Sequence, residues 1–465
     1  EHAKENIIKN FSLSIESGTI TIILGRSGCG KSTLAALVAG LYPENGGFLE
    51  SGKIEIFGHD IKALNHSERA KYLTLMFQNP DLQFCMNTLR KEIIFCLENI
   101  STPPDEMDEI IFNVTSKLGM LDLLDRKLST LSGGEKQKAS LCCLMAIGSK
   151  CIVLDEALAN IDEESAREII ALLQDYKESG GTVIAIEHRP ELWKNVADSF
   201  FIMKEHCSEV EKFDSQFDSS AFNTRLVDLG IFGAYTAKKF HRALATTNAI
   251  SLKNFSVFEG DKCLIQNSSA SFKLGRITAI LGRSGAGKTT IFKCILKQHD
   301  FKGSIEIYGD DIRKIKERDL FSKIGIVFQN PANQFITQRV NDEVRASMDS
   351  SLNSESLEKI LDEYDLRRFE RYSPYMLSQG QQRRLAVLSI LVGKQKILLL
   401  DEPTYGQDLS STEAMMRQLN SKVEHDNLTV IFITHDARLA ECWADEIIKI
   451  EGGKFITCNE SESKN

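Results

Sequence analysis

The chain has 465 residues, 42% of them hydrophobic and 26% charged, with a formal net charge of −9. This length predicts about two to four domains, the composition is that of ordinary globular protein, and the acidic balance argues against a nucleic-acid partner, which wants a basic face. The cysteines (Cys142-Cys143, Cys151 and Cys294 among them) lie in apolar stretches without metal or disulfide-framework spacing, and neither a signal pattern nor an apolar run of about 18 residues occurs, so reduced thiols are expected and any membrane role must come through a partner.

Ile20-Thr21-Ile22-Ile23-Leu24 reads as a strand running into Gly25-Arg26-Ser27-Gly28-Cys29-Gly30-Lys31-Ser32, with Thr33 next. This fits G-x-x-x-x-G-K-[ST], a phosphate-cradling loop between a strand and a helix. Its glycines let the backbone aim N–H groups at phosphate oxygens, and the helix adds its positive end. Lys31 is expected to reach the β/γ-phosphates and Ser32 to hold Mg²⁺. A short strand near 54–57 follows, then Phe77-Gln78-Asn79-Pro80, whose Asn-Pro also suits a turn. Residues 85–130 read as mostly helical. Leu131-Ser132-Gly133-Gly134-Glu135 opens a helix over 135–145, either as a plain Ser N-cap or as N–H groups aimed at a phosphate. The apolar run Cys151-Ile152-Val153-Leu154 suits a central parallel strand and ends in Asp155-Glu156. A strand at 182–186 precedes His188. Residues 207–247 read as a connector between a first domain, 1–206, and a second, 248–465.

The second domain repeats this order. Ile277-Thr278-Ala279-Ile280-Leu281 leads into Gly282-Arg283-Ser284-Gly285-Ala286-Gly287-Lys288-Thr289 and Thr290, with Lys288 and Thr289 given the same tasks. Phe328-Gln329-Asn330-Pro331, a helical stretch over 336–376, Leu377-Ser378-Gln379-Gly380-Gln381 opening a helix over 381–391, Ile397-Leu398-Leu399-Leu400 into Asp401-Glu402, and a strand at 429–433 before His435 follow. The offset drifts from 257 (Gly25 to Gly282) through 251 (Gln78 to Gln329) to 246 (Asp155 to Asp401), so a whole domain is duplicated.

The order phosphate loop, Gln, Leu-Ser-Gly-Gly-type segment, apolar strand with Asp-Glu, then His resembles the ATP-binding-cassette ATPases over nearly all of both halves, and the Leu-Ser-Gly-Gly segment is that family's own signature. The resemblance implies an α/β fold of two tandem P-loop NTPase domains, each with a RecA-like parallel-sheet core, an antiparallel β subdomain and a helical signature subdomain, using ATP and Mg²⁺. Asp155 and Asp401 would hold Mg²⁺, through water. Glu156 and Glu402 would polarise the attacking water. His188 and His435 would contact the γ-phosphate. Gln78 and Gln329 would touch Mg²⁺ and water and link to a membrane partner. Ser132, Gly133, Gly134 and Ser378, Gln379, Gly380 would serve the nucleotide of the opposite half, in a head-to-tail pairing within the chain. Phe258, 24 residues ahead of Gly282, would stack on adenine; the same count back from Gly25 reaches Glu1, so either the first site lacks the stack or the natural chain starts upstream. The departures (Gln379 for Gly, Ala157-Leu158 for Pro-Thr) leave both acid pairs intact, so two hydrolysing sites are expected. Cys29, where the second loop has Ala286, would make the first site thiol-sensitive provided its sulfur is reachable.

Phe-Gln-Asn-Pro-x-x-Gln-Phe, at 77–84 and 328–335, is similar to the ATPases of energy-coupling-factor importers. This implies ATP hydrolysis driving uptake of a vitamin, vitamin precursor or metal ion at the cytoplasmic face of the cell membrane. An integral membrane scaffold and a substrate-binding membrane subunit would be the partners, with no nucleic acid. The alternatives are a fused ATPase of a sugar or nucleoside importer, often with one degraded acid pair, and a ribosome-associated double cassette, which would want a long charged linker and basic segments. A DNA-repair cassette would carry a coiled-coil or zinc insertion, and neither is seen in the sequence.

Overall fold

A computed structural model describes residues 7–41, 49–78, 80–158, 161–204, 210–214, 219–231, 233, 235, 246–283, 285–348, 354–404 and 407–458. Contacts divide the chain into two compact units, Glu1–Gly233 and Ala234–Asn465.

In the first unit the apolar runs form a six-stranded sheet in the order Leu73–Met76, Cys151–Asp155, Thr182–Ile186, Ile20–Gly25, Ser199–Met203, Val210–Asp214. The first five strands are parallel and the last is antiparallel. Side chains alternate between the faces of such a sheet. Ile20, Ile22 and Leu24 accordingly enter a large cluster with Leu89, Ile93, Ile111 and Leu141 of the helices Leu89–Asn99, Pro104–Lys117 and Gly133–Ile147, while Ile23 enters a smaller cluster on the other face. Burial on both faces is why these strands carry no polar alternation.

The second unit has the same sheet order: Ile324–Val327, Ile397–Asp401, Thr429–Ile433, Ile277–Gly282, Glu446–Glu451, Lys454–Cys458. Its helical region holds Val340–Ser347, Ser354–Glu363 and Gln379–Leu391. In each sheet the phosphate loop, acid pair and histidine leave the carboxyl ends of neighbouring parallel strands, the edge where open α/β sheets bind ligands.

Both signature helices begin two residues earlier than the sequence pattern places them, at Gly133 and Gln379. Ser132 and Ser378 cap them through reciprocal bonds with Glu135 and Gln381, so the capping box draws the preceding residues into the first turn.

The antiparallel subdomain expected in each half is described most fully in the second unit. The second unit has a four-stranded sheet, Lys262–Lys273, Asn248–Glu259, Lys302–Ile307, Asp310–Asp311. Among the described residues of the first unit, Glu55–Ile56 pairs antiparallel with His59–Asp60, and stretch 7–19, which aligns with 264–276, forms no strand before Ile20.

The stretch read as a connector contributes to the first unit. Val210–Asp214 forms the sheet's antiparallel edge, and the helix Ser219–Asp228 buries Phe222 and Leu226, one turn apart, against the core. The Phe222 ring lies 4.9 Å from Phe200 and 5.2 Å from Phe213. Residues 207–209, 215–218, 232, 234 and 236–245 of that stretch lie outside the described residues. No described helix is long and apolar enough to cross a membrane.

Candidate active site

Each phosphate loop is a tight turn built on glycines. Gly28 and Gly30 have φ of 82° and 102°, and Gly285 and Gly287 have 73° and 91°, conformations that side chains disfavour. A Cβ on Gly25 would lie 2.8 Å from Cys29 Sγ and 2.9 Å from the Met203 carbonyl, so the loop closes only around glycine. Lys31 Nζ donates to the carbonyls of Gly25 (2.9 Å) and Arg26 (3.1 Å), and Lys288 Nζ to those of Gly282 (2.6 Å) and Arg283 (3.0 Å). An ammonium is thereby held inside a ring of backbone at a helix N-terminus, the arrangement that attracts phosphate. Arg26 and Arg283 are exposed, Thr33, Ala286 and Thr290 half-buried. Ser284 lies outside the described residues.

The sheet brings the acid pairs to these loops. Ser32 Oγ donates to Asp155 Oδ1 at 3.0 Å, and Thr289 Oγ1 to Asp401 Oδ2 at 2.8 Å. Burial, then the neighbouring Glu156, pushes the Asp155 carboxyl up to about 7; burial raises Asp401 to about 6. Glu156 and Glu402 sit at φ of 49° and 51°, a left-handed conformation that a non-glycine residue keeps only where its surroundings hold it. His188 Nε2 lies 2.7 Å from Glu156 Oε1, and His435 Nδ1 lies 3.1 Å from Glu402 Oε2. Gln78 Nε2 donates to Glu156 Oε2 at 2.9 Å, whereas Gln329 is exposed and no described hydrogen bond joins its side chain to Glu402.

Among the described residues, no hydrogen bond ties Ser132, Gly133 and Gly134, or Ser378, Gln379 and Gly380, to the phosphate loop of their own half; they form helix caps. Phe258 is half-buried on the strand Asn248–Glu259, with Lys302 Nζ 5.2 Å above its ring.

A sequence model described as ABC transporter matches residues 8–159 and 265–405. The chain is 31% identical over 96% of its length to a Bacillus subtilis protein, YkoD, named for HMP/thiamine import, covering 87% of that protein. It is 32% identical over 99% of its length to an ABC transporter ATP-binding protein of Treponema denticola, covering 95% of it. The chain belongs to the ABC transporter family.

The solved structures it resembles include archaeal ABCE1 in a ribosome-bound assembly with Pelota (TM-score 0.68, 18% identity, 95% of this chain and 74% of that one) and an RNase-L inhibitor (TM-score 0.60, 18% identity, 96% and 87%). At that identity they show the fold alone: two tandem ABC domains of the P-loop NTPase type. As an ABC ATPase the protein hydrolyses ATP with Mg²⁺. The residues fit the ion: Asp401 Oδ1 is buried without a hydrogen-bond partner, beside the Thr289 hydroxyl, and an oxygen donor set with one carboxylate suits Mg²⁺ that is shared with substrate phosphates.

The expected thiol sensitivity of this ABC ATPase does not fit the site. Cys29 is 5% exposed and packs with Ile23, Leu34 and Met203 beneath the loop. Maleimide is therefore expected to leave Cys29 unlabelled in the folded protein, with or without ATP, and to label it in denaturant, as mass spectrometry of the loop peptide would show. Fast labelling of the native chain would refute this.

Two groups were given no role by the motif reading. Glu92 accepts from the backbone of Cys85 and Met86, and Glu343 from Ile336 and Thr337, fastening the chain after each Gln segment. Both are buried, and their recurrence 14 residues after Gln78 and Gln329 was the available signal. Position 137/383 of the signature helices, Gln in one half and Arg in the other, was hidden by its lack of repeat.

Proposed function

We propose that this ABC ATPase powers an importer of the energy-coupling-factor type, taking up a vitamin, vitamin precursor or metal ion. It works at the cytoplasmic face of the cell membrane with integral membrane scaffold and substrate-binding subunits as partners. The observation that carries the reading is likeness along 96% of the chain to a protein named for HMP/thiamine import. The duplicated Phe-Gln-Asn-Pro-x-x-Gln-Phe segments support it.

Lys31 and Lys288 bind and orient the β/γ-phosphates, and the glycine-rich N–H groups spread charge as the terminal phosphoryl group leaves. Glu156 and Glu402 orient the attacking water, each steadied by its histidine. Mg²⁺, when bound, neutralises charge on the phosphoryl oxygens, and Ser32, Asp155 and Gln78, with Thr289, Asp401 and Gln329, are the residues that would hold it. Transport follows if ATP binds two states of the assembly with different affinity.

Affinity purification of the full chain tests the reading. From detergent-solubilised membranes, integral membrane proteins are expected to co-purify, one of them carrying a small molecule identifiable by mass spectrometry. Sedimentation with ribosomes and no membrane companion would overturn it, and a bound sugar or nucleoside would favour that importer class instead.

A further inference from the structure

The duplication supplies an internal control, and it isolates one residue. Gln137 and Arg383 occupy the same position of the two signature helices and are 1% and 2% exposed. Gln137 makes one long bond, from Nε2 to the Gln78 carbonyl at 3.3 Å. Among the described bonds of Arg383, Nη1 donates to the carbonyls of Asp401 (3.3 Å) and Glu402 (2.5 Å), and Nη2 to that of Gln329 (2.6 Å). A guanidinium fork is the side chain able to hold several fixed acceptors at once.

The two halves thus secure their strained glutamate differently. Glu156 is gripped at its carboxylate by both Gln78 and His188. Glu402 has His435 but no described bond from Gln329, and its backbone is gripped instead, by Arg383. The surface linkage differs as well. In the first half Lys136 of the signature helix pairs with Asp81 beside Gln78 at 2.7 Å, with side chains 17% and 56% exposed; the second half has Gln382 and Ala332 there. An exposed pair of that kind contributes little, whereas a buried fork on three carbonyls resists displacement because its donors would otherwise be left unpaired.

We propose that Arg383 is a positioning residue of the second hydrolytic site, fixing the backbone of Asp401, Glu402 and Gln329 to the signature helix, and that the first site lacks this device. The proposal rests on Glu402 orienting the water. Left-handed φ at Glu402 persists only where surroundings enforce it, and Arg383 is the described side chain that touches the carbonyls on both sides of that φ.

The test is steady-state ATPase of the full chain carrying Arg383→Gln, the side chain the first half accommodates at this position. Glu402→Gln and the double variant complete the set. In a Glu156→Gln chain, where the first site is silenced, Arg383→Gln is expected to lower kcat about tenfold with KM within about twofold, and to cost nothing further in the Glu402→Gln background, because residues acting as a unit are non-additive. Should Arg383→Gln fail to fold, Arg383→Lys, which keeps the charge but not the fork, is expected to show the same pattern. Unchanged kcat, a rise in KM alone, or an undiminished loss in the Glu402→Gln background would each overturn the proposal. If Glu402→Gln alone left turnover untouched, the assignment of Glu402 itself would fall, a separate result.

Discussion

Glu156→Gln and Glu402→Gln are each expected to lower hydrolysis at their own site by about 10²–10⁴-fold, or about 3–5 kcal/mol of barrier. The substitution is isosteric, so an amide oxygen still accepts from Gln78 in the first site, where Glu156 receives Gln78 at 2.9 Å. What is lost is the carboxylate charge that polarises water. Nucleotide affinity should hardly change, since the loop lysines bond the loop carbonyls without involving either glutamate. The measurement is phosphate release by the two single variants and the double variant, with nucleotide binding as control. A single variant with undiminished turnover would show that its site does no hydrolysis, and the pair would then be functionally asymmetric. The strained φ shared by both residues argues for two working sites.

Lys31→Ala and Lys288→Ala are expected to weaken ATP binding at their loops by about 10²-fold, because each removes an ammonium whose charge-assisted bonds to phosphate are worth roughly 1.5–3 kcal/mol apiece. Lys31 is 4% exposed and bonds two loop carbonyls, so alanine also leaves those acceptors to water and loosens the turn. Titration with a fluorescent ATP analogue at both sites measures the loss. Retained affinity in either variant would mean that the glycine-rich backbone alone carries binding there. The two predictions separate by their signature: the lysine variants lose affinity, the glutamate variants lose turnover.

Much of this protein was written in local sequence. A phosphate loop needs glycines at set positions and a lysine after them, so Gly28, Gly30, Lys31 and their second copies declared themselves by spacing. Strands buried on both faces need unbroken apolar runs, and Thr182–Ile186 and Thr429–Ile433 fall where those runs predicted. The duplication, the acid pairs and the matched histidines were legible for the same reason, that each rests on neighbours in the chain. What depended on contacts between distant residues was not. The edge strand and helix within the supposed connector became visible only when Phe222 met Phe200 and Phe213. Cys29 and Ala286 look interchangeable in the motif, and only packing shows that Cys29 is buried. Arg383 and Gln137 stand at one helix position, and only the fold reveals that one holds three carbonyls and the other one. Spacing along the chain determines which groups can serve a phosphate; the three-dimensional placement of carbonyls, rings and buried charges decides how firmly each group is held.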